Sequence, residues 1–98
     1  MGSELRQLFQ QATAAFDAGK YEEAEDLLLQ IVGRTPTYAN VFNMLGFIAS
    51  QRNSPEKAVT LFRRALSLNP TYQAARLNLV LTLTDMGAYD QAAQAAVK

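Results

Sequence analysis

The chain has 98 residues, nine basic and nine acidic side chains for a formal charge of zero, and an apolar fraction of 49%. It has neither cysteine nor histidine, which removes disulfides, thiolate chemistry and the commonest general base and metal ligand. A neutral chain lacks the excess positive charge that phosphate-backbone binders use, and no apolar run approaches the roughly 20 residues that span a membrane.

The spacing predicts a first helix from about Ser3 to Ala18, with Ser3 as N-cap and Leu5, Leu8, Phe9, Ala12, Ala15 and Phe16 on one stripe. Glu4 and Arg6 interrupt any apolar segment behind Met1, so no signal peptide is expected and a cytoplasmic location is. After a break at Ala18, Gly19 and Lys20, a second helix carries Ala24, Leu27, Leu28, Ile31 and Val32 at three- and four-residue steps. A third begins at Ala39 and holds Phe42, Leu45, Gly46 and Ala49. It stops at Arg52-Asn53-Ser54-Pro55, where Asn53 suits a left-handed backbone, Ser54 a cap and Pro55 a first helical position. The fourth repeats the stripe of the second as Ala58, Leu61, Phe62, Ala65 and Leu66. The fifth carries Leu77, Leu79, Val80, Leu81 and Leu83, apolar on more than one side. The sixth, near Tyr89 to Lys98, offers mainly alanines, which favour helix but bury little area. Six helices and no strand are predicted, with breaks near residues 18–21, 34–38, 52–55, 69–72 and 86–89.

A 34-residue register links these elements. Gly19, Asn53 and Gly87 recur at first-helix ends, Ala24, Ala58 and Ala92 one turn into the second helices, and Pro36 and Pro70 each open an identical Pro-Thr-Tyr. In the central block Phe42, Leu45, Gly46, Ala49, Ala58, Phe62, Ala65 and Pro70 resemble the tetratricopeptide repeat, in which W-x2-L-G-x2-Y, A-x3-F and P recur every 34 residues. Phe42 stands for the Trp and Ala49 for the Tyr. The resemblance implies an all-α superhelix of stacked helix-turn-helix repeats in one domain: repeat 1 over 5–38, repeat 2 over 39–72, and a truncated repeat 3 over 73–98. It also implies that first helices line a concave groove and that the Gly46 position is small because paired helices approach closely there. Ala12 obeys that rule and Val80 does not, so looser packing is expected in repeat 3, where Arg76 also replaces the large apolar Leu8 and Phe42.

Carried onto this sequence, the family's groove positions yield a candidate site of Phe9, Thr13, Asn40, Asn43, Met44, Phe47, Leu77, Asn78 and Leu81. The apolar members either bury a partner's side chains or pack between first helices, and the carboxamides suit a partner's backbone because an amide donates and accepts. The clamp with which one subclass grips a C-terminal carboxylate is absent: Phe9, Thr13, Met44, Ala74 and Asn78 occupy its places. Glu22, Glu23, Glu25 and Asp26 fit the positive end of a helix better than a cation, which wants six to eight oxygens. Residues 1–38 hold three basic and six acidic groups, and residues 39–72 four basic and one acidic, a contrast suited to stacking within a molecule or end to end between molecules. No hydroxyl has a base to activate it and no phosphate loop occurs. The expectation is a non-enzymatic module without cofactor or metal that binds a protein or peptide, not nucleic acid, and does not insert into membranes. Two alternatives stand beside it. One is a scaffold segment, self-assembling or one slice of a longer multi-protein scaffold, that stacks end to end through its repeats, with the C-terminal end as the route to a homo-oligomer. The other is a small secretion-type chaperone.

Overall fold

A computed structural model describes residues 2–97. It contains six helices and, among the described residues, no strand: α1 (Ser3–Asp17), α2 (Tyr21–Arg34), α3 (Ala39–Gln51), α4 (Pro55–Leu68), α5 (Gln73–Asp85) and α6 (Tyr89–Ala96). Each expected break separates two of these helices. Lys98, the expected end of the sixth helix, lies outside the described residues.

The turn inside each helix pair is the same object three times. Gly19, Asn53 and Gly87 have φ of 77°, 61° and 81°, the left-handed region that glycine enters freely and asparagine more readily than most residues. That reversal lets the next N–H reach back to the fifth residue before it. Lys20 N–H donates to Ala15 O, Ser54 N–H to Ala49 O and Ala88 N–H to Leu83 O, all at 2.9 Å. The carbonyls of Lys20, Ser54 and Ala88 then start the second helices, accepting from the N–H groups of Ala24, Ala58 and Ala92 at 2.9–3.0 Å. Backbone groups thus satisfy the orphan ends of both helices. The expected hydroxyl caps are corrected accordingly. Ser54 holds the cap position without a side-chain cap bond, and Ser3 is already helical with Gly2 before it.

The pairs stack along one axis, giving extents of 43 × 25 × 18 Å. Leu5, Leu8, Ala12, Ala15, Ala24, Leu28 and Ile31 of the first pair close over Val41, Leu45 and Ile48 of α3. Ala49, Ala58 and Phe62 of the second pair close over Leu79, Leu83 and Ala92 of the third. Each apolar stripe therefore finds its cover partly in its own pair and partly in the next.

Gly46 in α3 and Phe62 in α4 make the tightest approach. A methyl group built on Gly46 would lie 2.5 Å and 2.7 Å from ring carbons of Phe62, whose side chain is 1% exposed. One repeat earlier the same two positions hold Ala12 and Leu28, and one repeat later Val80 and Ala96. The first two pairs thus set a small residue on the first helix and a large one on the second. Val80 is half-buried against the second cluster, and with Ala96 it borders a shallow opening beside α5.

Gly46→Ala should improve helix propensity by about 0.5–1 kcal/mol yet lose more to overpacking, for a net loss on the order of 1–2 kcal/mol in denaturant unfolding. Adding Phe62→Leu, the combination that repeat 1 already uses, should recover part of that loss. Additive losses in the double-mutant cycle would show that the two sites are uncoupled. Phe62→Ala alone should cost about 3–5 kcal/mol in the same measurement.

Candidate protein-interaction surface

The first helices α1, α3 and α5 stand side by side, and the candidate residues lie along the row they form. At the α1–α3 joint the contacts are aromatic. The rings of Phe16 and Phe47 meet with centroids 5.5 Å apart, and Tyr21, the first residue of α2, packs on both at 5.7 and 6.0 Å. Phe9 sets its edge against Tyr38, centroids 5.0 Å apart. Offset and edge-on arrangements of this kind add to the area they bury.

At the α3–α5 joint a hydrogen-bond chain replaces the rings. Asn78 Nδ2 donates to Asn43 Oδ1 at 2.9 Å, and Asn43 Nδ2 donates to the Tyr72 hydroxyl at 3.4 Å. Tyr38 and Tyr72 are 34 residues apart, as are Phe9 and Asn43. The same tyrosine position thus receives a ring at one joint and an amide at the next. Thr82, buried on α5, satisfies its hydroxyl on Asn78 O at 2.7 Å, which leaves the inner side of this joint without an orphan polar atom.

The nine candidates therefore fall into different settings. Phe9 and Phe47 take part in ring contacts between helices, Met44 is half-buried against the first core cluster, and Asn43 and Asn78 bond to each other. Thr13 and Asn40 are exposed, each beside a shallow depression. Leu77 and Leu81, one turn apart on α5, are 59% and 52% exposed. Tyr21, Tyr38 and Tyr72 were not among the expected site residues. The repeated Pro-Thr-Tyr at 36–38 and 70–72 is the sequence signal that marks two of them.

The charge contrast between the first two helix pairs has a local expression. Glu25 in α2 meets Arg52 at 2.5 Å and Lys57 at 3.9 Å, tying α2 to the turn after α3 and to the first turn of α4. Pairs this exposed are worth about 0–1 kcal/mol each, so they orient the stack more than they hold it. No helix among the described residues is long and apolar enough to cross a membrane.

Comparison with known proteins places this geometry. Two tetratricopeptide repeat family models match, over residues 9–72 and 49–96. The peroxisomal targeting signal receptor of Candida albicans is 31% identical over 75 residues, covering 76% of this chain but 13% of the receptor. The chain thus spans a small part of that relative's length. Among solved structures, the Sgt2 TPR domain of Aspergillus fumigatus superposes with a TM-score of 0.84 at 26% identity, over 96% of this chain and 62% of that one. The TPR2B domain of yeast Sti1, in its complex with pHsp70, superposes with a TM-score of 0.87 at 13% identity, over 96% of this chain and 75% of that one. Register, turn geometry and these matches agree: the chain belongs to the tetratricopeptide repeat family.

Proposed function

We propose that this chain is a protein-interaction module that takes a peptide segment or helix of a partner against the row formed by α1, α3 and α5, with no chemistry on the partner. The observation that carries the reading is the pair Leu77 and Leu81, two large apolar side chains more than half exposed on consecutive turns of α5. Beside them Asn78 points its amide N–H at Asn43, and among the described residues no donor meets its side-chain oxygen Oδ1. A partner that covers both leucines removes apolar area from water, at about 25 cal/mol per Å² before ordering costs, and its backbone N–H can meet that oxygen. Phe9, Phe47 and Met44 contribute by holding the row in shape and by showing their uncovered edges. Thr13 and Asn40 supply exposed polar contacts farther along it.

The relatives support the class of function. One is named as a receptor for a targeting signal, and the Sti1 domain is described in complex with pHsp70. With the carboxylate-clamp residues missing, the peptide is expected to be held by its apolar side chains and backbone, not by a terminal carboxylate. A cytoplasmic setting belongs to the same proposal. A second reading, assembly with copies of itself, is favoured by the same exposed leucines.

Leu77→Ser combined with Leu81→Ser should leave the unfolding midpoint nearly unchanged, because exposed substitutions usually stay within about 0.5 kcal/mol. Capture of a natural partner from the parent proteome should fall at least about tenfold, and the partner identified should bind the wild-type chain directly in calorimetry. Undiminished capture by the double variant would move the site off this row. Phe47→Ala is expected to weaken binding and also to lower the unfolding midpoint, since its ring supports Phe16 and Tyr21. Sedimentation across a wide concentration range separates the second reading: wild-type oligomers that the leucine substitutions dissolve would make self-assembly the function.

A further inference from the structure

A cleft of about 370 Å³ opens between α4, α5 and α6, away from the row of candidate residues. Leu66 and Leu79 provide apolar wall, and Arg63, Arg76, Gln91 and Gln94 are polar groups that line it. Arg76 precedes Leu77 by one residue, which turns it about 100° around the helix from that leucine.

The internal repeat shows how the lining of the cleft differs from its counterpart one repeat earlier. Thirty-four positions earlier, Phe42 stands where Arg76 is and Leu61 where Ala95 is. Phe42 is 8% exposed and packs with Ala65 and Ala75, with the Arg64 guanidinium 5.6 Å above its ring. In the third pair those two large apolar side chains have become a guanidinium and a methyl group.

Among the described residues no carboxylate pairs with this guanidinium. Arg76 Nη1 donates to Ala95 O at 3.1 Å and its Nη2 donates to Pro70 O. Arg63 Nη2 donates to the neutral amide oxygen of Gln91 at 3.4 Å. Every ion pair among the described residues involves Arg34, Arg52 or Lys57 instead. No acidic side chain lines the cleft. Two guanidinium groups with N–H donors to spare thus flank an apolar wall, and two glutamines beside them can pair with backbone.

We propose that this cleft is a second binding site, selective for a peptide in which an apolar side chain adjoins a carboxylate side chain. Leu66 and Leu79 receive the apolar group, Arg63 and Arg76 receive the carboxylate, and Gln91 and Gln94 hold the peptide backbone. The site uses other side chains than the Leu77–Leu81 surface, which it adjoins where Arg76 and Leu77 border the shallow opening beside α5.

The test uses a blocked, fluorescent peptide of alternating leucine and glutamate, with its glutamine counterpart as control, titrated by anisotropy. The glutamate peptide should bind the wild-type chain at least about tenfold more tightly, as expected for charge-assisted hydrogen bonds, and the difference should shrink as salt rises. Arg63→Gln with Arg76→Gln should erase the difference, whereas Leu77→Ser with Leu81→Ser should preserve it. Because Arg76 also ties α5 to the end of α6, circular dichroism must accompany its variants. If Arg76→Gln unfolds the chain, Arg63→Gln alone decides, with an expected loss of about threefold to fivefold. Equal binding of the glutamine peptide would overturn the proposal, as would unchanged discrimination in the arginine variants. A wild-type dimer that Arg63→Gln dissolves, with no peptide preference, would assign the cleft to a second copy and overturn it equally.

Discussion

The stack depends on how closely α3 and α4 approach where Gly46 faces the ring of Phe62. Without a side chain at Gly46, the aromatic ring lies directly against helix backbone, and interiors packed to crystal density tolerate no alternative bulk there. Phe62 then does two things at once. It closes the second pair, and it belongs to the cluster that receives Leu79 and Leu83 of α5. A change in that one contact is therefore felt both within a pair and between pairs. Ala12 with Leu28 repeats the pattern of a small residue on the first helix and a large one on the second, whereas in the third pair Val80 is half-buried and Ala96 exposed.

The turns make this close approach reproducible. Three residues with positive φ reverse the chain at identical points, and the same backbone hydrogen bonds close each reversal. Since the closing groups are main-chain atoms, residues at the cap positions are free to vary, and Lys20, Ser54 and Ala88 all occupy them. Conserving backbone geometry while releasing side chains is what lets a repeat keep its shape and present different surfaces.

That freedom is visible along the first helices. The α1–α3 joint is built from rings, the α3–α5 joint from two amides and a phenol, and beyond α5 two leucines stand in solvent. The contacts between first and second helices vary in the same manner: Phe42 and Leu61 pack in one cluster, and their counterparts Arg76 and Ala95 line a cleft. One scaffold thereby carries an apolar surface on one side and a basic cleft on another, and each can be altered without disturbing the turns.

The sequence by itself determined the number of helices, their breaks, the left-handed residues and the apolar stripes. Each of these is a local property: a period of 3.6, a φ that few residues accept, a proline that starts a helix. The 34-residue register added the pairing of like positions, and with it the stacked architecture. Local pattern could not say which apolar or polar groups on the first helices were already engaged. Phe47 could meet a partner or pack between first helices, and Asn43 and Asn78 could bond a partner or each other; stacking placed Asn78 on Asn43 and Phe16 on Phe47. Arg76 looked like a defect in an apolar series, yet its guanidinium ties Pro70 to Ala95 and lines a cleft. Partners this far apart in the chain are chosen by the rise and twist from one helix pair to the next. That geometry emerges from packing, so only the tertiary structure could decide which side chains were spent inside the stack and which remained at its surface.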